Sequence, residues 1–197
     1  MKIVVMGASF GGLHAITTIL AGLPAQFSLP ILVVQHIGVP EGLTLANSLK
    51  KRLNKPIFQG EPLMEVKKGH IYIAPVEYHM MIEKDLTLSL SVDEKVNFSR
   101  PSIDVLFESA AYSFPGETIG ILLTGANNDG ARGLHMIKES GGITIVESPE
   151  TAFSPTMPAS AISLFTPDHI LSLPLIAPEL CSITGDIDEL HAKYSYS

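Results

Sequence analysis

The chain has 197 residues, 46% of them apolar and 17% charged, with a formal net charge of −7. That length suits one domain with a substantial core, and the acidic balance argues against nucleic acid or an anionic membrane surface as the main partner. One cysteine, Cys181, excludes an internal disulfide, and no apolar run approaches the roughly 18 residues of a membrane span. A strand beginning at residue 2 leaves no room for a signal peptide, so the expected setting is the cytoplasm.

The chain opens on MKIVVMGASFGGLH. This reads as a buried strand over 2–6, a turn holding Ser9 among Gly7, Gly11 and Gly12, and a helix starting near 10–13. Leu13, Ile16, Ile19 and Leu20 mark the inner face of that helix, which Gly22-Leu23-Pro24 terminates. Residues 30–35, PILVVQ, form a run without alternation, the mark of a strand covered on both faces. His36 follows at the carboxyl end of that strand, the edge where open α/β sheets bind ligands. A second helix turns Leu43, Leu45, Ala46, Leu49 and Leu53 inward and Lys50, Lys51 and Arg52 outward.

Between 56 and 92 the pattern changes to short strands: 56–58, 70–74, and a hairpin pairing 79–83 with 86–90 around Lys84-Asp85. Ser102 is placed to cap a helix over 103–112, with Asp104 near its positive end and Val105, Leu106, Ser109 and Ala110 inward. TIGILL at 118–123 is another buried strand. It exits into a glycine-bearing loop whose one acid is Asp129, then a helix with Leu134, Met136 and Ile137 inward. A strand over 143–146, a proline-studded loop over 148–158, a short helix over 159–165 and apolar segments at 170–175 and 179–183 follow. Residues 1–185 read as one domain and 186–197 as a flexible tail. The fold class is α/β, a doubly wound, mainly parallel, Rossmann-like sheet with an antiparallel hairpin.

The first turn admits three chemistries. A P-loop needs Lys and a hydroxyl residue after its last glycine, and Leu13-His14 stand there. A dinucleotide cradle is weakened by Ser9 in place of its second glycine and by Gln35-His36 where an acid belongs, so a nucleotide-binding oxidoreductase is the lesser reading. Gly7-Ala8-Ser9-Phe10-Gly11 fits the G-x-S-x-G turn that presents a serine nucleophile, with a plain helix cap as the bland alternative.

Ser9, His36 and Asp129 then occupy the exits of three parallel-type strands. They are the types a serine hydrolase needs: a hydroxyl nucleophile, an imidazole base and a carboxylate to fix its tautomer. The N–H groups of Phe10 and Gly11 are placed to receive an oxyanion. A rival set of Ser9, Asp129 and His169 restores the α/β-hydrolase order. It ranks lower because His169 precedes a strand and so falls at the opposite edge. The other histidines show no metal spacing, and neither metal nor cofactor is expected.

Six segments together resemble the catalytic domain of the chemotaxis protein-glutamate methylesterases. They are Gly7-Ala-Ser9-Phe-Gly-Gly12; Val33-Val-Gln-His36; Ile73-Ala-Pro75 with His79; Arg100-Pro-Ser-Ile-Asp104-Val-Leu-Phe107; Leu123-Thr-Gly125 with Asp129-Gly-Ala131; and Met157-Pro-Ala-Ser-Ala161. The resemblance covers roughly residues 2–175. It implies hydrolysis of γ-glutamyl methyl esters on the cytoplasmic helices of methyl-accepting chemotaxis receptors, and in some members deamidation of receptor glutamines. Ser9, His36 and Asp129 match the family's nucleophile, base and acid.

Three positions depart from the family's pattern. Phe10 stands where a small hydroxyl residue is usual. Ala126-Asn127 replaces Met-Gly in the loop that would place a second oxyanion donor at Ala126, and Glu147-Ser148 replaces Gln-Asp. Arg100 and Arg132, with Lys50, Lys51 and Arg52, are the basic residues available to meet a glutamate-rich receptor. Most members carry an N-terminal receiver domain, whereas this chain starts at the catalytic domain. Either constitutive access or a separate regulator is therefore expected. A methylesterase with a substrate outside chemotaxis and a non-catalytic adaptor on the same fold are the alternatives.

Overall fold

The computed structural model describes residues 1–36 and 45–186. Seven parallel strands form one sheet: β1 (Ile3–Ala8), β2 (Ile31–Gln35), β3 (Ile57–Gln59), β4 (Ile71–Ile73), β7 (Thr118–Leu122), β8 (Ile143–Glu147) and β9 (His169–Leu171), in the order β3-β4-β2-β1-β7-β8-β9. A separate antiparallel hairpin pairs β5 (His79–Ile82) with β6 (Leu88–Ser91). The helices are α1 (Gly12–Gly22), α2 (Leu45–Arg52), α3 (Ile103–Ser113), α4 (Ala131–Glu139), α5 (Thr156–Leu164) and α6 (Leu173–Thr184).

Alternation within fully buried strands builds two cores. Val4, Met6, Ile31 and Val33 face one layer with residues of α1, α2 and α6; Ile3, Val5, Leu32 and Val34 face the other with residues of α3, α4 and α5. β1 pairs with β2 on one side and with β7 on the other. The winding therefore reverses beside β1, and the carboxyl ends of β2, β1 and β7 open at the topological switch point.

Several inner faces differ from the sequence pattern. Leu13 and Met136 are each 38% exposed, while α3 buries Phe107 and Ala111 in place of Val105 and Ser109. That helix packs on β1, α4 and the hairpin at once, so its buried face is wider than one stripe. α5 begins at Thr156, three residues early, because Pro158 falls in the first turn, where no N–H is needed. α6 is continuous through Pro178, joining what read as two segments; the carbonyl four residues back belongs to Pro174 in the first turn. Leu43 and most of the expected tail lie outside the described residues. Asp186, the first residue assigned to that tail, is tied down, accepting from Ser28 Oγ and Thr184 Oγ1 at 2.8 Å each. Cys181 is fully buried, and burial, helped by the Asp186 charge, pushes its thiol up to about 11.

Candidate active site

Ser9 leaves β1 one residue past its end. Its N–H donates to Thr124 O at 2.9 Å and its carbonyl accepts from Gly12 N at 2.8 Å, so the turn is pinned at both ends. α1 starts at Gly12, with Gly11 as its N-cap at φ 83, the left-handed region that glycine enters without penalty. A side chain at Gly11 would also collide with Phe153, whose ring packs edge-to-face on Phe10 at 5.1 Å. Among the described residues no acceptor takes the backbone N–H of Phe10, Gly11 or Ala126. Ala126 follows Gly125, where a Cβ would lie 3.0 Å from that of Ser9. All three oxyanion candidates therefore surround the serine turn.

His36 sits at the end of β2 and its Nε2 lies 2.9 Å from Asp129 Oδ2. Because a carboxylate only accepts, Nε2 donates this bond, which leaves Nδ1 as the ring nitrogen available to take a proton. Ser9 and His36 share two cavities. One, of ≈ 520 Å³, is lined with Phe10, Gly11, Gln35 and Arg52, and the other, of ≈ 360 Å³, with Glu77, Lys95, Phe98 and Arg100. No hydrogen bond joins Ser9 Oγ to the imidazole, as is common before a ligand binds.

Asp129 is fully buried at the N-terminus of α3. Its Oδ2 also accepts from Ile103 N at 2.7 Å. Its Oδ1 accepts from Ser102 Oγ at 2.8 Å, Asn97 Nδ2 at 3.0 Å and Asp104 N at 3.2 Å. Burial alone raises a carboxyl's pKa, but here the hydrogen bonds from His36, Asn97 and Ile103, with the His36 charge, outweigh it and hold the group below its ordinary value. Ser102 thus does more than cap α3, since its Oγ donates to Asp129 while accepting from Val105 N.

Behind Ser102, buried His79 accepts that residue's N–H at Nδ1 and donates from Nε2 to Glu94 O at 3.0 Å. Gln35, noted in the sequence only as a mismatch to a cofactor acid and as part of the Val33–His36 segment, donates from Nε2 to the carbonyls of both Ser9 and His36, at 2.7 and 2.8 Å. It fixes the two loops relative to each other.

The remaining expectations divide. Arg100 lines the smaller cavity, held by the carbonyls of Val92 and Asp93 and by Glu77 at 3.1 Å. Arg132 does not face Ser9. It bonds Glu108 at 2.6 Å and lines a separate cavity of ≈ 620 Å³. Lys50, Lys51 and Arg52 form the exposed last turn of α2, and Arg52 reaches the cavity that holds Ser9. His169 lies at the amino end of β9, 3.5 Å from Glu179 and on the opposite edge, which removes the rival triad.

Glu147 is 2% exposed and its Oε2 accepts from Thr124 N at 2.8 Å. Burial raises its pKa despite that bond and a nearby His14. Such a group stabilises the fold fully only below its unfolded pKa, and loses that contribution as pH rises through the folded value. Glu147→Gln keeps an acceptor for Thr124 without a buried charge. Thermal melts should therefore show the variant above the parent at neutral pH, with the gap closing toward about pH 4.

Comparison with known proteins gives a consistent result. The CheB methylesterase family model matches residues 4–180. A Leptospira interrogans protein provisionally named a protein-glutamate methylesterase/protein-glutamine glutaminase is 50% identical over 174 residues, 88% of this chain and 90% of the relative. A Geobacter metallireducens protein-glutamate methylesterase/protein-glutamine glutaminase is 37% identical over 93% of this chain, which spans 53% of that relative's length. The crystal structure of the Thermotoga maritima CheB methylesterase catalytic domain matches with a TM-score of 0.87 and 34% identity, covering 92% of this chain and 98% of that one. With the family model and these relatives covering most of its length, the chain belongs to the CheB methylesterase family.

Proposed function

We propose that the chain is a serine hydrolase that removes methyl esters from glutamate γ-carboxylates on the cytoplasmic helices of chemoreceptors, and that residues 1–185 form its catalytic unit. The observation that carries this reading is the 2.9 Å His36–Asp129 bond beside the cavities His36 shares with Ser9, in a chain of this family. In the proposed reaction Ser9 Oγ attacks the ester carbonyl carbon while His36 Nδ1 takes the hydroxyl proton. Asp129 stabilises the imidazolium. The N–H groups of Phe10 and Gly11, with Ala126 alongside, receive the oxyanion.

Collapse of the tetrahedral intermediate breaks the C–O bond to methoxide, which leaves as methanol with the proton from His36. Water, deprotonated by His36, then attacks the glutamyl-Ser9 ester; the bond to Ser9 Oγ breaks, His36 returns its proton to that oxygen, and the glutamate is restored. A glutamine substrate would follow the same course with ammonia leaving, which accommodates the glutaminase activity in the relatives' names.

A protein of net charge −7 needs local cations to approach an acidic helix. Arg52, Lys95 and Arg100 line the two cavities and supply them, whereas Arg132 lines a separate cavity that contains neither Ser9 nor His36 and is not assigned to the substrate. The serine-hydrolase core is tested by a fluorophosphonate reagent and peptide mapping. Modification confined to Ser9, and absent after His36→Gln, is expected. An unmodified Ser9 in folded protein would contradict it.

A further inference from the structure

Asn97 is absent from every motif, yet it joins two buried carboxyl groups near the candidate site. Its Nδ2 donates to Asp129 Oδ1 at 3.0 Å and to Asp104 Oδ2 at 2.8 Å. Asp104 is 2% exposed, and its other oxygen accepts from Gly133 N at 2.7 Å, which fixes it to α4. Burial, with the Asp129 charge beside it, raises the Asp104 pKa, and a donor between the two carboxyls eases that repulsion. One amide group, with two N–H bonds and no charge, meets that need from a single side chain.

The backbone presenting this amide is itself unusual. Residues 96–99 form a tight turn closed by Ser99 N to Val96 O at 2.9 Å and by the reciprocal bond at 3.2 Å. Its two central residues have positive φ, Asn97 at 50 and Phe98 at 62. Asparagine tolerates that region and phenylalanine seldom enters it, so the conformation persists because its surroundings determine it. The turn also carries Phe98 and Ser99 into the cavity that holds Ser9 and His36. A single short segment therefore touches the space for a substrate and the carboxylate behind the imidazole.

We propose that Asn97 is a positioning residue, whose amide, shared between Asp104 and Asp129, holds Asp129 in the orientation that bonds His36. The proposal rests on the serine-hydrolase reading for its effect on catalysis, while its structural content stands without it. The charged groups facing Asp129 are Asp104 from α3, Arg132 from α4 and His36 from the end of β2. Glu77, Lys95 and Arg100 line one cavity with His36, and His14 and Arg52 line the other.

Asn97→Gly deletes the amide and leaves the left-handed backbone unstrained, so the turn is kept. The first readout is the downfield NMR signal of the His36 Nε2 proton, identified by its loss in His36→Gln and read without substrate. It should shift or broaden in Asn97→Gly. On an ester substrate kcat should fall about 10- to 100-fold, the size of effect that follows from misplacing a catalytic group. KM should stay within about twofold, since no substrate contact is removed. The acid limb of the kcat/KM profile should move to higher pH, because an Asp129 charge shared with one donor fewer favours the imidazolium more strongly.

Asp104→Ala removes the amide's second acceptor without touching the turn, and decides the matter should Asn97→Gly fail to fold. A parent protein lacking the downfield signal, or a signal unchanged in both folded variants, overturns the assignment. A parent that shows the signal but hydrolyses no ester counts against the proposed function alone.

Discussion

Ser9→Ala is expected to lower kcat on a simple activated ester by about a millionfold, the loss found when the nucleophile of a serine triad is removed. The substitution deletes one oxygen from a half-buried side chain that makes no side-chain hydrogen bond among the described residues. The melting temperature should therefore stay close to that of the parent. An activated-ester assay beside a thermal melt separates loss of chemistry from loss of fold. Residual activity within about tenfold of the parent would place the reaction on another group.

Asp129→Asn is expected to lower kcat by about 10⁴-fold, through the tautomer of His36. An asparagine NH₂ placed at Oδ2 would donate to Nε2, moving the ring proton to Nδ1, the nitrogen that must accept from Ser9. Turning the amide over restores an acceptor for His36. It then sets the NH₂ against Ser102 Oγ, Asn97 Nδ2 and the N–H of Asp104, all of which donate to Oδ1 in the parent.

Either orientation leaves a buried donor unpaired, at a cost of about 1–3 kcal/mol. Unlike Ser9→Ala, this variant should thus melt well below the parent. Because the folded pKa of Asp129 is depressed, its stabilisation is complete above the unfolded carboxyl value and is lost as pH falls through the folded one. Melts of parent and variant should accordingly differ most at neutral pH and converge in acid. A variant with parental kcat would contradict the assigned role of Asp129.

The parts of this site legible in the sequence were those fixed by backbone position. Ser9, His36 and Asp129 each follow a fully buried strand, and parallel pairing of β2, β1 and β7 brings such exits together whatever lies between them. The strands themselves were readable because burial on both faces leaves an unbroken apolar run, as in residues 31–34.

What could not be read was the convergence of side chains over long separations. Asn97 meets Asp129 across 32 residues and Gln35 meets Ser9 across 26, with no periodic or spacing signal at either position. Arg132 was misjudged for a related reason. It lies three residues past Asp129, but α4 has begun by then and turns its side chain toward Glu108. The helix faces erred where a helix meets more than one neighbour, as α3 does, since a single 3.6-residue stripe describes contact with one surface only.

Phe10 bears on how a substrate is met. It is 62% exposed and Phe153 beside it 71%, so the rim over the serine turn is aromatic where the family pattern has a small hydroxyl. An exposed aromatic pair at the mouth of a site is apolar surface available for contact with a ligand.

The measurement that bears most directly on the proposed activity is methanol release from the methylated cytoplasmic fragment of a chemoreceptor, with the intact chain and Ser9→Ala run side by side. The expected result is stoichiometric methanol from the parent, one per ester lost from the receptor, and none above background from the variant. Hydrolysis of activated esters by the parent with no methanol from any methylated receptor fragment would contradict the assigned substrate.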